Sequence, residues 1–554
     1  MNPSGAAARP SGFSDWLPGA AASRRALTTA LVATFEAAGF ALIDTPLAEY
    51  ADTINRGLGG DALDQLFRFM DADGRLLALV GERTVSVART VATELRRGPF
   101  PLRVCYAGPV MRNRALLGGR RREAMQAGCE LVGDAHLSAD AECIAVAMAA
   151  LDSAGVPGIQ VDVGHAGFLP ALLAGAGLDP NGHDALRNAL VARDLVAVEA
   201  VLSGTPAGAA EHALLLRFPA LRGGRALLDE ARGGLQAEGP LRALDELAEL
   251  WDLLGARGLQ DRVQLDLGAV RDWDYYTGPT FELFSGDLGF PLGAGGRYDT
   301  LLERFGLVQP STGFVVHVDR CHDAIARRPE PAPPAGPARS SGLRIAIPTG
   351  VLLDGACELL RASGVAPGLR PESFERRLQL RAGDHDVITV RPTDVPAYVE
   401  MGACDCGIVG KDVLWESGRD LYEIADLRFG GCRLVFAAPE ESALAAGTWP
   451  ASLRVATKYP NAARRWFATR GEGAELIRLH GSVELAPSAG LADGIVDVVA
   501  TGATLRANRL AEIATIGASS ARLVVNVASM KTRSAAVTAL ATALRQTVEA
   551  RDSR

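Results

Sequence analysis

Apolar and polar residues follow two different periodicities in the first part of the chain. Leu27, Leu31 and Phe35 recur every four residues between Ser23 and Gly39, which predicts an amphipathic helix with a capping residue at each end. Short β-type runs predict strands at 40–46, 103–112, 128–133, 263–270, 279–285 and 312–319. Because these strands are grouped rather than interleaved with helices, we expect an antiparallel α+β sheet.

A long helical region lies between the two groups of strands. Residues 141–260 are rich in alanine and leucine at helical spacing, as in 141–155 and 240–258. We expect these helices to be inserted in the sheet or packed on it. The glycine-rich segment 293-GAGGRYD-299 is interpreted as a turn between two of the later strands.

One domain boundary is marked by composition. Residues 327–342, RRPEPAPPAGPARSSG, contain five prolines together with alanine, glycine and serine, and such a segment cannot form a packed element. It is predicted to be a solvated, semi-rigid linker. The chain is therefore divided into an N-terminal domain at 1–326 and a C-terminal domain at 343–554.

Strands and helices alternate after the linker. The pattern predicts, in order, a strand at 343–348, a helix at 352–364, a strand at 387–390, a helix at 394–402, and strands at 405–410 and 433–439. This alternation is typical of parallel βαβ units in a doubly wound α/β sheet. Such sheets bind ligands outside the carboxyl ends of their strands.

The bulk composition narrows the possible functions. The chain has 554 residues, 48% of them apolar and 22% charged, which is ordinary for a folded protein of several domains. Its net charge of −8 provides no overall field for a polyanion such as nucleic acid. There is no signal-peptide pattern and no run of about 18 apolar residues, so we expect a cytoplasmic protein without a membrane partner.

The eight cysteines are mostly isolated, which favours buried thiols in a reducing compartment over a disulfide framework. Cys404 and Cys406 alternate within a strand pattern, and no further Cys or His stands nearby at metal-ligand spacing. We therefore predict no protein-bound metal site.

One loop in the second half has the properties of a phosphate site. In 495-IVDVVATGATL-505 a buried strand pattern runs into a turn and then into a helical pattern. Gly502 allows a ligand to approach the backbone, and the hydroxyls of Thr501 and Thr504 add hydrogen-bond donors. Asp497 precedes the loop, where a carboxylate can accept from ribose hydroxyls or help to position Mg²⁺. A capped strand-to-helix turn without a ligand is the alternative interpretation.

Four blocks of sequence around this loop, at 391–416, 453–461, 481–487 and 493–505, resemble ATP phosphoribosyltransferase, the first enzyme of histidine biosynthesis. The resemblance covers nearly all of 343–554. It implies a two-lobed α/β fold like that of type II periplasmic binding proteins, in the short form of the enzyme that needs a separate regulatory subunit. The implied reaction is displacement of pyrophosphate from phosphoribosyl pyrophosphate by N1 of ATP, with Mg²⁺ as cofactor.

The same resemblance implies roles for individual residues. The family's loop for the ribose 5-phosphate corresponds to Thr501, Gly502, Ala503 and Thr504, and its acidic residue beside the ribose corresponds to Asp497. Further matches to catalytic or substrate-binding positions are Arg391, Lys411, Arg376 and Glu484.

One departure from the family concerns charge. The family opens with Pro-Lys-Gly-Arg after its first strand, whereas this chain has 348-PTGV-351, so Thr349 and Val351 replace two cations expected near the pyrophosphate. Losing one preorganised donor typically costs about 2.7–4 kcal/mol in the transition state. Arg344 and Arg377 are candidates for a compensating cation. Slower catalysis, or a catalytically inactive homologue, is the alternative.

Five blocks in the first half, at 38–50, 103–112, 271–282, 293–306 and 312–320, resemble the catalytic core of histidyl-tRNA synthetase. They resemble equally its non-catalytic relative, the regulatory subunit of ATP phosphoribosyltransferase. The resemblance implies an α+β class II synthetase-like domain with an antiparallel sheet. By position it also implies a regulatory histidine site made of Glu82, Thr84, Arg112, Gln126, Glu130, Arg271, Tyr275 and Tyr276.

Departures from the synthetase pattern favour the regulator. Arg112 and Arg320 match the arginines that hold ATP phosphates in the synthetase, but Arg114 replaces the glutamate expected at the adenine amino group. Ala124 replaces the phenylalanine that would stack on adenine. The linker, rather than an anticodon-binding domain, follows. We therefore expect the histidine pocket to be kept and the activation site to be lost.

These patterns together predict a fused, histidine-regulated ATP phosphoribosyltransferase. Its expected partners are ATP and phosphoribosyl pyrophosphate as substrates and histidine as inhibitor, with no tRNA. Because synthetase-like cores dimerise through their first motif, a homo-oligomer is expected, for example a dimer of dimers. Two alternatives stay open: histidine activation by the first half, and a histidine- or nucleotide-sensing scaffold whose second half is inactive.

Overall fold

The computed structural model describes residues 9–113, 121–203, 210–218, 221–268, 275–285, 288, 290–326, 342–374, 377–450 and 452–552. The chain divides into two compact units, Met1–Val191 with Ala197–Gly336, and Ala192–Val196 with Pro337–Arg554. The division after Gly336 falls inside the segment predicted as a linker, of which only residue 342 is described. The sequence did not predict that the short segment 192–196 belongs to the second unit.

The described residues of the first unit form helices and short strands. The helices are α1 Pro18–Ala37, α2 Ala51–Leu58, α3 Thr84–Thr93, α4 Leu137–Ser153, α5 Phe168–Gly175, α6 Pro180–Val191, α7 Leu195–Ser203, α8 Ala210–Arg217, α9 Ala226–Arg232, α10 Glu238–Ala256 and α11 Val318–Ala326. The strands are β1 Ala41–Leu42, β2 Ala48–Tyr50, β3 Arg68–Met70, β4 Leu76–Leu79, β5 Leu102–Met111, β6 Glu123–Val132, β7 Ile159–His165, β8 Arg222–Gly223, β9 Val263–Asp266, β10 Pro279–Ser285, β11 Gly293–Arg297 and β12 Ser311–His317.

A nine-stranded sheet organises the first unit, in the order β1-β5-β6-β12-β11-β10-β7-β9-β8. Its pairs are antiparallel except β1 with β5 and β7 with β9. The predicted α+β architecture with a largely antiparallel sheet is therefore confirmed. A separate small sheet has the order β2-β4-β3.

The first helix covers this sheet through its apolar stripe. Leu31 and Phe35 of α1 are fully buried, and the ring of Phe35 contacts Phe314 of β12 edge to face at 5.5 Å. The helix begins at Pro18, five residues earlier than the capping serine predicted from the sequence. Proline is well suited to the first helical turn because its missing N–H would have no partner there.

The glycine-rich segment at 293–299 was wrongly interpreted as a turn, because Gly293–Arg297 forms strand β11 in the middle of the sheet. A Cβ atom at Gly295 would lie 2.3 Å from the carbonyl oxygen of Gly313 and 2.6 Å from the ring of Phe281. Glycine is needed here for close packing between strands rather than for a change of direction.

The described residues of the second unit form two sheets with surrounding helices. The helices are α12 Leu353–Ala362, α13 Val395–Glu400, α14 Lys411–Ser417, α15 Pro460–Thr469, α16 Ala503–Ala507, α17 Val527–Thr532 and α18 Ser534–Asp552. The strands are β13 Arg344–Pro348, β14 Gln379–Ala382, β15 His385–Val390, β16 Cys406–Gly410, β17 Tyr422–Asp426, β18 Cys432–Pro439, β19 Arg454–Thr457, β20 Glu475–Arg478, β21 Gly494–Val499, β22 Leu510–Ser519 and β23 Ala521–Val525. No helix among the described residues of either unit is both long and apolar enough to cross a membrane.

The two sheets of the second unit are mixed rather than wholly parallel. The six-stranded sheet has the order β14-β15-β13-β16-β23-β17, and the five-stranded sheet has the order β20-β19-β21-β18-β22. The chain leaves the first sheet after β17 and returns to it with β23, so the prediction of one doubly wound parallel sheet was wrong. The connecting strands β18, β22 and β23 pair antiparallel to their neighbours.

Gly295→Ala should destabilise the first unit by about 1–3 kcal/mol, because the new methyl group would overlap a backbone carbonyl that cannot move without disturbing β12. The measurement is thermal unfolding followed by calorimetry. Gly19→Ala is the matched control, since Gly19 is an exposed residue of α1 with nothing within 4 Å of its Cβ position. Equal unfolding temperatures for the two variants would contradict this account of β11.

Candidate active site and buried carboxylate pocket

A carboxylate is buried in the nine-stranded sheet of the first unit. Glu130 of β6 is 1% exposed, and its two oxygens accept hydrogen bonds from the hydroxyls of Tyr106, at 3.2 Å, and Tyr298. The hydroxyl of Thr84 is a third donor. Burial raises the pKa of Glu130 to about 8, and the hydrogen bonds oppose this shift only in part.

Two glycines on neighbouring strands leave room for these side chains. A Cβ atom at Gly313 of β12 would lie 1.8 Å from Oε2 of Glu130, and one at Gly128 of β6 would lie 2.6 Å from the hydroxyl oxygen of Tyr106. Gly313 stands directly opposite Glu130 in the register of β12 and β6. The strand pairing and the absence of a side chain at this position together admit the carboxylate.

A second carboxylate belongs to the same cluster. Glu82 is 7% exposed and accepts from the Tyr275 hydroxyl at 3.2 Å and from the backbone N–H of Val85 at 3.3 Å. Burial raises the pKa of Glu82, and the nearby guanidinium of Arg112 opposes that shift. The rings of Tyr275 and Tyr298 meet edge to face at 5.8 Å, and Glu82 acts electrostatically on Glu130. The two carboxylates therefore belong to one buried cluster, called here the carboxylate pocket.

Gln126 adds a buried acceptor beside Glu130. It lies four residues before Glu130 on β6, so both side chains project from the same face of the strand. Gln126 is 1% exposed, and its Oε1 has no hydrogen-bond partner among the residues that the structure describes. A buried acceptor without a donor is costly. A ligand that carries N–H groups would satisfy it.

Three parallel strands of the second unit end at one edge of the five-stranded sheet. β19 pairs in parallel with both β20 and β21. The residues that directly follow these strands, Lys458, Leu479 and Ala500, therefore emerge at the same edge. Glu484 follows β20 within the short helix Val483–Leu485.

Asp497 of β21 lies between this edge and the core. Its side chain is 18% exposed, and its Oδ2 is 3.7 Å from Nζ of Lys458, while its Oδ1 accepts from the backbone N–H of Val498 at 2.8 Å. Burial raises the pKa of Asp497, and repulsion from Glu484 raises it further. The hydrogen bond from the N–H of Val498 and the positive charge of Lys458 lower it in part. Two carboxylates and a cation thus share this edge.

The loop after β21 turns sharply into α16. Gly502 has a φ of +75°, in the left-handed region that favours glycine. The hydroxyl oxygen of Thr501 accepts the N–H of Ala503 at 3.4 Å. Thr501 and Thr504 are both exposed, so the loop presents two hydroxyls beyond the strand that carries Asp497.

The six-stranded sheet has a corresponding edge. β13 runs parallel to β15 and to β16, so Thr349, Arg391 and Lys411, which follow these three strands, share the edge at their carboxyl ends. Arg391 is exposed. Nζ of Lys411 donates to Asp194 at 2.5 Å and also to Glu423, so carboxylates balance its charge and a phosphate would have to displace one of them.

Profiles of known families match both halves of the chain. The histidyl-tRNA synthetase family matches residues 12–321, and the ATP phosphoribosyltransferase family matches residues 391–546. An ATP phosphoribosyltransferase regulatory subunit of Geobacter sulfurreducens is 39% identical over 322 residues, which are 58% of this chain and 74% of that protein. Another, from Moorella thermoacetica, is 38% identical over 370 residues, which are 66% of this chain and 93% of that protein.

The chain belongs to the family of ATP phosphoribosyltransferase regulatory subunits.

A solved structure supports the fold of this part. A protein from Bacillus halodurans, described as an ATP phosphoribosyltransferase regulatory subunit/histidyl-tRNA synthetase, is 30% identical and aligns with a TM-score of 0.54 over 70% of this chain and 93% of its own. The predicted class II synthetase-like fold of the first half is confirmed, as is its fusion to an ATP phosphoribosyltransferase domain. The chain is thus a transferase. We call the first unit the regulatory domain and the second the transferase domain.

In the regulatory domain the structure brings together several residues that the sequence predicted. Glu82, Thr84 and Glu130 share the pocket with Tyr275, and Gln126 lies on the same strand face as Glu130. The ring of Tyr276 lies 4.7 Å from that of Tyr275.

Two arginines of the predicted regulatory and synthetase sites donate to backbone carbonyl groups. Nε of Arg112 donates to the carbonyl oxygen of Gly81 at 2.7 Å. Arg320 donates to the carbonyl oxygen of Pro291 at 2.6 Å. Arg271 and Arg114 lie outside the described residues.

Sequence reasoning missed Tyr106 and Tyr298 in this pocket. Both are buried aromatic residues within or directly after strands, and their hydroxyls hold Glu130. The only local signal was a polar-tipped aromatic residue in a strand pattern. Such a residue packs in an ordinary core equally well.

In the transferase domain, Asp497, Glu484 and the loop from Thr501 to Thr504 lie at one sheet edge. Lys458 was not singled out from the sequence, although it lies within the matched block 453-LRVATKYPN-461. Arg376 lies outside the described residues, and no group of three or more His, Cys, Asp or Glu residues in the described ranges is arranged to hold a metal ion.

The two compensating cations considered from the sequence differ in position. Arg344 is at the amino end of β13, opposite to the end where Thr349 follows, and it donates to the carbonyl oxygen of Gly402 at 2.8 Å. At about 3.3 Å per residue the length of the strand separates it from that edge, so Arg344 is wrong as a compensating cation. Arg377 is exposed.

Glu130→Gln should stabilise the unliganded regulatory domain at high pH. The carboxyl has a folded-state pKa of about 8 against an ordinary value of 4.5, so the unfolded state ionises first. Wild-type stability should therefore fall as pH rises from about 4.5 through 8, whereas the neutral glutamine has no such loss. Calorimetry between pH 5 and pH 9 should show the variant gaining several degrees relative to the wild type.

The control for this experiment is Glu123→Gln, which removes a charge from a partly exposed position on the same strand. It should shift the unfolding temperature little and without this pH profile. A Glu130→Gln difference that stays constant from pH 5 to pH 9 would show that Glu130 does not titrate in this range.

Proposed function

We propose that this chain catalyses the first step of histidine biosynthesis, in which ATP and phosphoribosyl pyrophosphate give N1-(5-phosphoribosyl)-ATP and pyrophosphate. We further propose that histidine bound in the regulatory domain inhibits the reaction. The observation that supports the transfer most directly is the position of Asp497 and 501-TGAT-504 at the carboxyl edge of parallel strands, inside the segment that matches the ATP phosphoribosyltransferase family.

The loop is suited to the 5-phosphate of the donor. Gly502 keeps the backbone open, and the exposed hydroxyls of Thr501 and Thr504 can donate to phosphate oxygens. Asp497 precedes Thr501 by four positions in the chain. In this proposal its carboxylate accepts from the 2- and 3-hydroxyls of the ribose while the loop holds the 5-phosphate. This arrangement fixes the ribose so that C1 is presented to the second substrate.

The chemistry requires positioning more than proton transfer. The lone pair of adenine N1 attacks C1 of the ribose, the N1–C1 bond forms as the bond from C1 to the pyrophosphate oxygen breaks, and the electron pair leaves with pyrophosphate. No general base is required because N1 carries no proton. Orientation of the two polyanions and stabilisation of the leaving group supply the acceleration. Arg391, at the edge of the six-stranded sheet, is a candidate to face one of the polyphosphates.

The donor set at the loop edge fits Mg²⁺. Magnesium is usually bound through one or two carboxylates together with substrate phosphates. Glu484 is close enough to Asp497 for their repulsion to contribute to the raised pKa of Asp497, and a cation between them would relieve this repulsion. Asp497 and Glu484 would hold the ion, which neutralises charge on the departing pyrophosphate when it is bound.

We also infer that the transferase domain has the two-lobed fold of type II periplasmic binding proteins. The two sheets, joined by chain crossings after β17 and before β23, support this inference. Each sheet has parallel strands that end at one edge. In such a fold the substrates lie between edges of this kind.

The pocket of the regulatory domain has the chemistry that histidine needs. Glu82 and Glu130 can pair with an ammonium group and an imidazolium or imidazole N–H, and the unsatisfied Oε1 of Gln126 offers a further acceptor. A positive group beside Glu130 would favour its ionised form. Feedback is then a coupling between two sites, so substrates must weaken histidine binding by the same factor as histidine weakens theirs.

The direct test is pyrophosphate release by the full chain with ATP, phosphoribosyl pyrophosphate and Mg²⁺, with and without histidine. We expect release that histidine inhibits, and inhibition weakened about tenfold in Gln126→Ala because a buried hydrogen bond to the ligand is lost. Gln160→Ala, at an exposed position on β7, is the matched control. No release above blank would exclude the transferase, and unchanged inhibition in Gln126→Ala would remove this pocket from the regulation.

Restoring the missing cations should increase catalysis. Val351 is 94% exposed and Thr349 is partly exposed, so Thr349→Lys and Val351→Arg both change accessible positions. Each new donor at the pyrophosphate is worth about 10²-fold where geometry is suitable. We expect kcat/KM for phosphoribosyl pyrophosphate to rise at least about tenfold. Steady-state pyrophosphate release measures it.

Val308→Arg is the control for this double variant. Val308 is 75% exposed and lies in the regulatory domain, so the variant adds a surface arginine without changing the transferase domain. Its kcat/KM should equal that of the wild type. A double variant that is no faster than the control would mean that other groups already supply the charge at the pyrophosphate.

A further inference from the structure

Arg506 folds back over the loop that precedes it. It lies in α16, and its backbone N–H donates to the carbonyl oxygen of Gly502 at 3.1 Å. Helical side chains lean toward the helix N-terminus, and here Nη2 of Arg506 donates to the carbonyl oxygen of Thr501 at 3.2 Å. The guanidinium is thereby held beside the exposed threonines.

Gly502 provides the surface on which this guanidinium rests. A Cβ atom at position 502 would lie 3.0 Å from Nη1 of Arg506. The left-handed glycine therefore leaves the loop backbone open and also lets the arginine approach it. Both ends of the guanidinium group are next to the proposed 5-phosphate loop.

Arg506 has no carboxylate partner within 4.0 Å in the described part of the chain. Lys458, by contrast, lies 3.7 Å from Asp497, which balances its charge. The bond to Thr501 uses one N–H of Arg506, and a guanidinium carries five. Charge and donors are thus left for an anion at this loop.

The charges at the loop edge favour such a cation. Asp497 and Glu484 are both acidic groups at this edge, and the charge of Lys458 is balanced by Asp497. A sugar phosphate carries about two negative charges at neutral pH. The two threonine hydroxyls can donate to it but cannot neutralise it.

We propose that Arg506 binds the ribose 5-phosphate directly, as a cationic member of the site that 501-TGAT-504 forms. The proposal rests on the proposed transferase function. A planar guanidinium can donate to two phosphate oxygens at once, whereas an ammonium acts as a point charge. If Arg506 only supports the Thr501 carbonyl, its replacement should leave the affinity for the sugar phosphate unchanged.

The test compares Arg506→Met and Arg506→Lys with the wild-type full chain. Arg506→Met should raise KM for phosphoribosyl pyrophosphate about tenfold, with KM for ATP and kcat within about twofold of wild type. Arg506→Lys should recover part of the loss because it keeps the charge but not the fork. As a competitive inhibitor, ribose 5-phosphate should also bind about tenfold more weakly to Arg506→Met, while the inhibition constant of pyrophosphate stays unchanged.

Arg509→Met is the matched control, because Arg509 is exposed and follows Arg506 closely in the chain, so the net charge changes equally. It should leave both KM values unchanged, and matching unfolding temperatures show that both variants fold. Equal ribose 5-phosphate inhibition of wild type and Arg506→Met, or an equal effect of Arg509→Met, would overturn the proposal.

Calorimetric titration with ribose 5-phosphate separates this inference from the proposed function. Wild-type binding that Arg506→Met weakens would support the role of Arg506 even if no pyrophosphate were released. Turnover by the wild type without any loss of ribose 5-phosphate affinity in Arg506→Met would keep the transferase function and remove Arg506 from the site.

Discussion

The parallel register of β20, β19 and β21 is the constraint on which the candidate active site depends. Because the three strands run in the same direction, their ends bring Lys458, Glu484 and the 501–504 loop to one edge. Glu484 follows Lys458 by 26 positions in the sequence, and Thr504 follows it by 46. A slip of one residue would turn Asp497 to the other face of its sheet. The buried apolar residues of β21, such as Val496, hold that register.

The regulatory domain buries two carboxylates, Glu130 and Glu82, instead of presenting charged groups at a sheet edge. Glu130 is surrounded by hydroxyl groups and strand backbone, so its ionised form is costly until a positive group enters. In the proposed regulation, the empty pocket gives up stability that a bound positive group would restore. Glu82 repeats it, with Arg112 as a nearby cation. The two carboxylates influence each other, since Glu82 contributes to the raised pKa of Glu130.

Local sequence signals found some of the site and could not find the rest. The loop at Thr501 was recognised because a buried strand, a glycine and a helical pattern follow one another directly. Lys458 and Arg506 carry no such signal, because their roles depend on strand pairing and on the direction of a side chain. The glycines at 293–297 were interpreted as a turn because, seen in the sequence alone, glycine indicates a flexible backbone. Here glycine is required because β10 and β12 pack closely on both sides, and these neighbours are known only from the structure.

The chain crosses between the two sheets of the transferase domain, and this crossing sets the order in which the sheets are completed during synthesis. β23 lies between β16 and β17 in the six-stranded sheet, yet it follows all the other described strands of this domain in the chain. The five-stranded sheet has all of its strands once residue 519 has been synthesised, but the other sheet keeps a gap until Val525 has emerged. The sheet that begins first is thus completed last, and β16 and β17 expose unpaired edges during that interval.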